Sequence, residues 1–333
     1  MNATANQTTR RARTDSLYLD PWDHSSALLE ADLPAPDQDE LDDVDVTVET
    51  DGPWTALAPA GPQTAPPVTF VDGVRRTHAR LYHQGPEGVA VPGLCASIAA
   101  GSCTWEPDAG PARSHFGLVR ARRVCLFGNG KMIKLPAADG VKFESISSPA
   151  HDLPGLSAAL NQRMRELELG ITRDADTGAG MLVADGRLGR LGDVEVIGYI
   201  KSHHRTYLQD PTQRRLAGEL AAGQRTPLFA IGGAVEVYSW YLGLSADVDA
   251  PPWAGVARCE VSAALGRQRA AQLADQATTL LPRAVLPPWR EARSPQNLGP
   301  IAALEWQLRR ELGDAGLLRR AIELAVRAWE DGE

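Results

Sequence analysis

Apolar positions along this chain change period several times, and each change marks an element. VTFVDGVRR, from Val68, reads as a strand that follows a pair of prolines and carries Gly73 inside it. THARLYHQ and GVAVPGLCASIAA continue as strand material. HFGLVRARRVCLF, residues 115–127, alternates in part and reads as a long strand closed by the turn GNGK, and VKFESIS reads as another. The period then lengthens. Leu153, Leu156, Leu160, Met164 and Leu167 recur at intervals of three and four, which predicts a helix over 153–171. Short apolar runs follow at 181–188 and 193–203. After them come a helix near 211–222, strands near 227–231, 234–244 and 256–262, and a long helix near 263–281. LGPIAALEWQLRREL and DAGLLRRAIELAVRAWED make a helical C-terminus. Strands, then a helix, then a strand able to run parallel to the first give an α/β order with a mixed sheet flanked by helices. One domain over 68–333 accounts for it.

Residues 1–67 differ in character. Residues 1–16 are polar and expected to be disordered. SLYLDPWDHSSALLEADL is expected to dock as a short helix anchored by Tyr18 and Trp22. The acidic stretch, residues 30–51, and the Pro-rich APAGPQTAPP, 58–67, read as a linker or edge segment. Net charge is −8, but residues 30–51 carry ten acids and no Lys or Arg; without them the balance is −8 + 10 = +2. The acidity belongs to one segment, so a nucleic-acid surface elsewhere stays open. The 43% hydrophobic and 23% charged content suits a sizeable core. No apolar run approaches the ~20 residues of a membrane span, and no apolar stretch follows the basic N-terminus as in a secretory signal. Cys95, Cys103, Cys125 and Cys259 form no CxxC and have no His at zinc-site spacing. A reducing cytoplasm is expected.

Two strands end alike, as Phe-Val-Asp72-Gly and Val-Ala-Asp185-Gly. A carboxylate at the end of an apolar run needs a partner, and a divalent cation shared between two such strands would be one. Asp-Gly turns are the simpler alternative. Glu166 and Glu168 lie near the C-terminal end of the helix between them. Being two residues apart, only one can face the sheet, and the helical wheel leaves both open. Three carboxylates at a sheet end suit Mn²⁺ or Mg²⁺. Such ions polarise a phosphate, lower the pKa of an attacking water and stabilise the leaving oxygen.

The basic complement is GYIKSHHRTY, with Lys201 at a strand end followed by His203, His204 and Arg205, together with Arg75 and Arg76 just after Asp72. These can hold a phosphate backbone. Tyr82, Tyr207, Tyr238, Trp240 and Tyr241 offer stacking surfaces for unpaired bases. Other motifs fail: AIGGAVE lacks Walker spacing and its Lys-Ser/Thr, DADTGAG lacks the EF-hand pattern, and no GxSxG occurs. AIGGA alone does not supply the two phosphate loops of a sugar- or acetate-kinase-type fold.

FVDGVRR, the helix ending MRELELG, MLVADGRL, VIGYIKSH, YSWYLGL and SPQNLGPIAALEWQLRRELGD, in that order over about 68–330, resemble the NurA nucleases in their bacterial form. The resemblance implies an RNase H-like fold related to the Piwi nuclease domain. It also implies Mn²⁺-dependent DNA cleavage, as a 5′→3′ exonuclease and a single-strand endonuclease. A homodimer is implied, working with a hexameric HerA-type translocase at double-strand breaks and associated with the nucleoid. The family's carboxylates fall on Asp72, Glu166 (with Glu168 as the neighbouring choice) and Asp185, and its strand Lys on Lys201. Archaeal members carry a His in the C-terminal helix; here none occurs after His204, and Asn297 or Glu305 are left as substitutes. The alternative reading is a non-catalytic scaffold subunit that regulates a DNA translocase.

Overall fold

The computed structural model describes residues 15–20, 43–60, 65–109, 113–175, 178, 180–189, 194–202, 205, 207–232, 236–245 and 253–331. The strands are β1 (Ser16–Leu19), β2 (Val44–Asp45), β3 (Val68–Gln84), β4 (Ala90–Trp105), β5 (Ser114–Phe127), β6 (Glu144–Ser147), β7 (Met181–Asp185), β8 (Ile197–Ile200), β9 (Phe229–Ile231), β10 (Val237–Gly243) and β11 (Val256–Ser262). The helices are α1 (Leu153–Asp174), α2 (Pro211–Gly218), α3 (Arg267–Leu280), α4 (Gly299–Glu311) and α5 (Ala315–Asp331). All eleven strands join one sheet in the order β2-β9-β10-β11-β8-β7-β3-β4-β5-β6, with β1 on β3.

The middle of this sheet positions the site. β3, β4 and β5 form an antiparallel meander. α1 then carries the chain back, so that β7 runs parallel to β3 and β8 parallel to β7. The order β5-β4-β3-β7-β8, with a helix crossing before the parallel pair, is RNase H-like. The expected α/β mixed sheet is therefore present, and the structure extends it with antiparallel β11, β10, β9 and β2.

Both sheet faces are covered, as a sheet holding parallel strands requires. On one face Leu156, Leu160, Leu167 and Ile171 of α1 pack on Val71, Ala96, Ile98 and Leu182. α1 starts at Asp152, whose carboxylate accepts the Gly155 N–H at 2.8 Å. On the other face Ala270, Leu273, Ala274 and Ala277 of α3 and Ile301 of α4 pack on Phe70, Val183, Ile197 and Tyr199.

Three expectations need correction. The 16–33 segment does not begin as a helix: Ser16–Leu19 is a strand antiparallel to residues 81–84 of β3. It completes the stretch of β3 that β7 is too short to reach, buries Leu17 fully, and stacks Tyr18 on Tyr82 with ring centroids 5.9 Å apart. Trp22 lies outside the described residues. The run VTFVDGVRR does not end at its Asp-Gly, because β3 continues through both residues to Gln84. The acidic stretch is in part structural. Glu49 accepts two hydrogen bonds at 2.8 Å from Arg225, which is 2% exposed, and one from the Leu228 N–H. Arg225 also donates to Asp275 at 2.7 Å. A buried guanidinium requires such partners, so this network ties residues 43–60 to the sheet.

All four cysteines are free and buried, with Cys95 and Cys125 facing each other across β4 and β5. Among the described residues no helix is long and apolar enough to cross a membrane.

Candidate metal centre

The parallel strands deliver their polar ends to one level. Val71 pairs with Ala184, so Asp72 on β3 and Asp185 on β7 each sit one residue further on. Asp185 pairs in turn with Tyr199 of β8, and Lys201 follows two residues later. Alternation puts Asp72 and Asp185 on the face that α4 covers. α4 adds Glu305, and one oxygen each of Asp72, Asp185 and Glu305 lies within 4.8 Å of the others. The two Asp-Gly aspartates are thus neighbours. Glu305, one of the two residues left as substitutes for the missing His, joins them; Asn297 instead accepts a hydrogen bond from Lys201 Nζ at 2.7 Å.

The two Asp-Gly pairs serve different purposes. Gly186 has φ of 101° and turns the chain out of β7, donating its N–H to the Tyr199 carbonyl at 2.8 Å. Gly73 is extended strand, and its N–H donates to Asp72 Oδ1 at 2.7 Å. It is glycine because a Cβ there would collide with Glu168 Oε1.

Glu168, not Glu166, is therefore the α1 carboxylate that packs against β3, at Gly73, close enough to feel the charge of Asp185; the grouped carboxylates themselves are Asp72, Asp185 and Glu305. On α1 the two are about 200° apart. Glu168 shares its flank with Thr172, which is 2% exposed and donates its hydroxyl to the Glu168 carbonyl at 2.8 Å. Glu166 turns the other way, half exposed, and pairs with Arg163 at 2.9 Å. There it lines a 260 Å³ surface cavity with Arg122, Glu144 and Ile146, away from the aspartates.

Electrostatics mark the cluster as under-compensated. Burial, then the neighbouring Asp185, pushes the Asp72 carboxyl well up. The same two causes bring Glu168 to about 8. Burial raises Asp185 too, although Lys201 Nζ lies 2.6 Å away and opposes the rise. Lys201 feels the reverse: burial pulls it down, but Asp185 and Asp72 outweigh that and hold it above the usual lysine range. Asp72 Oδ2 is buried without a hydrogen-bond partner. A desolvated, unpaired carboxylate oxygen beside two other carboxylates is a strong acceptor for a cation.

Further residues hold these groups in place. Arg293 donates to both Glu305 oxygens, at 3.3 and 2.6 Å, and to Glu291. The Tyr199 hydroxyl donates to the Gln296 carbonyl at 2.6 Å, pinning the loop that carries Arg293 and Asn297. Glu260 takes the Leu188 N–H at 2.7 Å and pairs with buried Arg258, which steadies the turn after Asp185. Arg293 lay beyond the motifs; its sequence signal was an arginine six residues before α4.

The basic and aromatic expectations fare unevenly. Lys201 enters the centre. Arg76 donates to the Gly313 carbonyl at 2.9 Å and so braces the α4–α5 turn. Arg75, by alternation, lies on the opposite face of β3 from Asp72. His203 and His204 lie outside the described residues. Arg205 sits over the Tyr207 ring at 5.5 Å, and Arg258 covers the same ring at 4.7 Å. Tyr207, Trp240 and Tyr241 are buried and Tyr82 is stacked on Tyr18, so these four are packing groups rather than open platforms.

No family model matches the chain, and no curated protein matches it. Among solved structures it is similar to the NurA nuclease from Sulfolobus solfataricus, at 9% identity over 84% of this chain and 88% of that chain, with a TM-score of 0.47. That is the family the sequence motifs resemble.

Proposed function

We propose that this protein is a divalent-metal-dependent DNA nuclease whose centre is formed by Asp72, Asp185, Glu305 and Glu168. The observation that carries the reading is the convergence of buried carboxylates around the orphaned Asp72 Oδ2. The donors fit the cation: all are hard oxygens, two come from rigid strands and two from packed helices, and their mutual repulsion is relieved by a bound positive charge. Mn²⁺ is the ion the resemblance favours, and Mg²⁺ has the same donor preference. When bound, such an ion neutralises phosphate charge and makes water a better nucleophile at neutral pH.

The protein's own residues supply the rest. Asp72 and Asp185 fix the centre from strands whose hydrogen-bonded partners on both sides restrict their movement. Glu305 is oriented by the two hydrogen bonds it accepts from Arg293. Lys201 is the one ammonium among the carboxylates, where it can donate to a phosphate oxygen and balance charge as the diester is cleaved. His203, His204 and Arg205, on the segment after β8, follow it within four residues in sequence and are proposed to extend the phosphate contacts. The finer assignments rest on the sequence resemblance: 5′→3′ exonuclease and single-strand endonuclease activity, a homodimer, and work with a HerA-type hexameric ATPase at DNA ends.

The test is incubation of labelled single- and double-stranded DNA with Mn²⁺, with Mg²⁺, and with EDTA. Cleavage that needs the metal and disappears in Asp72→Asn, with the fold intact by circular dichroism, is the expected result. Full cleavage by Asp72→Asn would refute the site. Absence of cleavage with every metal would favour the scaffold reading.

A further inference from the structure

The aromatic residues first suited to base stacking are largely buried, and the structure exposes a different one. Trp306 on α4 is 61% exposed, next in sequence to Glu305. Ile301, Leu304 and Leu308 of this helix are fully buried. At ~100° per residue, Arg309 lies about 40° and Trp306 about 100° round the helix from Glu305, on the side away from Leu304 and Leu308. One flank of α4 therefore runs outward from the metal centre as Glu305, Arg309, Trp306. Arg310 completes it with its guanidinium over the indole, 4.9 Å from the ring centroid. Neither Arg309 nor Arg310 has a carboxylate partner among the described residues. An indole of this size left in water beside two guanidinium groups whose charge no carboxylate among the described residues balances has the chemistry of a single-strand platform: cations for the phosphates and a π-face for a base.

We infer that this flank of α4 is a subsite for an unpaired nucleotide, with Trp306 stacking a base and Arg309 and Arg310 holding the adjoining phosphates. The inference deepens the nuclease reading and rests on it for the direction of the strand into the centre. A duplex keeps its bases stacked inward, so Trp306 would favour single strands and frayed ends over paired DNA. Trp306 is a positioning residue: it touches a nucleotide beside the scissile phosphate and no reacting atom.

The test compares wild type, Trp306→Ala, Trp306→Phe and Arg309→Ala. Binding of a fluorescent oligo-dT and of a blunt duplex is followed by anisotropy in EDTA, and cleavage of both is followed in Mn²⁺. Trp306→Ala is expected to weaken oligo-dT binding roughly tenfold, to raise KM for single strands more than it lowers kcat, and to change duplex binding far less. Trp306→Phe should recover most of the loss. Arg309→Ala should weaken both substrates and flatten the salt dependence. Equal oligo-dT binding by wild type and Trp306→Ala would overturn the subsite even if wild type cleaves DNA. Weakened oligo-dT binding by Trp306→Ala in a protein that never cleaves would uphold the subsite and reject the nuclease. If Trp306→Ala instead dissociates an oligomer in sedimentation, with equal losses on both substrates, the flank is a protein interface and the inference fails.

Discussion

Glu168→Gln, set against Glu166→Gln, is the sharpest test of the centre's electrostatics. In the folded, metal-free protein burial and Asp185 bring Glu168 to about 8, from an ordinary value of 4.5. The folded state thus holds a proton that the unfolded chain has released, so stability falls as pH rises from 4.5 to about 8. At about 1.36 kcal/mol per pH unit, this side chain costs up to roughly 4 kcal/mol at pH 7.5 and about 0.7 kcal/mol at pH 5. Glutamine resembles the protonated acid and does not titrate. The stability of Glu168→Gln relative to wild type should therefore improve by about 3 kcal/mol between pH 5 and 7.5, whatever baseline the amide sets. Urea denaturation in EDTA across that range measures it directly. Glu166 pairs with Arg163 on the surface, and its replacement should shift stability by under about 0.5 kcal/mol with no such pH trend. Mn²⁺ should then stabilise wild type at pH 7.5 more than it stabilises Glu168→Gln. Parallel pH profiles for wild type and Glu168→Gln, or the trend appearing in Glu166→Gln, would refute this account.

Two other substitutions probe the frame. Gly73→Ala places a methyl group where Glu168 Oε1 now lies; since the far end of a side chain can swing away, the fold should survive. Mn²⁺ affinity by calorimetry and the cleavage rate should each drop about tenfold or more, and unchanged metal binding would show that Glu168 is not a ligand. Glu49→Ala leaves Arg225 buried with only Asp275 as a carboxylate partner, which should cost roughly 3 kcal/mol in thermal denaturation. Cleavage at low temperature should persist, because the network lies away from Asp72; a loss under 1 kcal/mol would mean that residues 43–60 are held by other contacts.

Local periodicity was enough to reveal the strands from 68 to 127, the helix at 153 and the paired C-terminal helices, because binary patterning and turn chemistry are short-range properties. It also singled out Asp72, Asp185 and Lys201, since polar residues closing apolar strand runs are conspicuous in a chain otherwise obeying that pattern. Other features needed the folded molecule. Glu166 and Glu168 lie on different sides of the helix, but the wheel alone does not say which side meets the sheet; that fell to Gly73, 95 positions earlier in the sequence, whose missing side chain opens the space that Glu168 enters. Glu305 reads as an ordinary helix acid until α4 is laid across β3 and β4. Ser16–Leu19 became a strand only because β7 stops short and leaves part of β3 unpaired. In each case the deciding contact joins residues far apart in the chain, where a residue's neighbours in sequence do not report its neighbours in space.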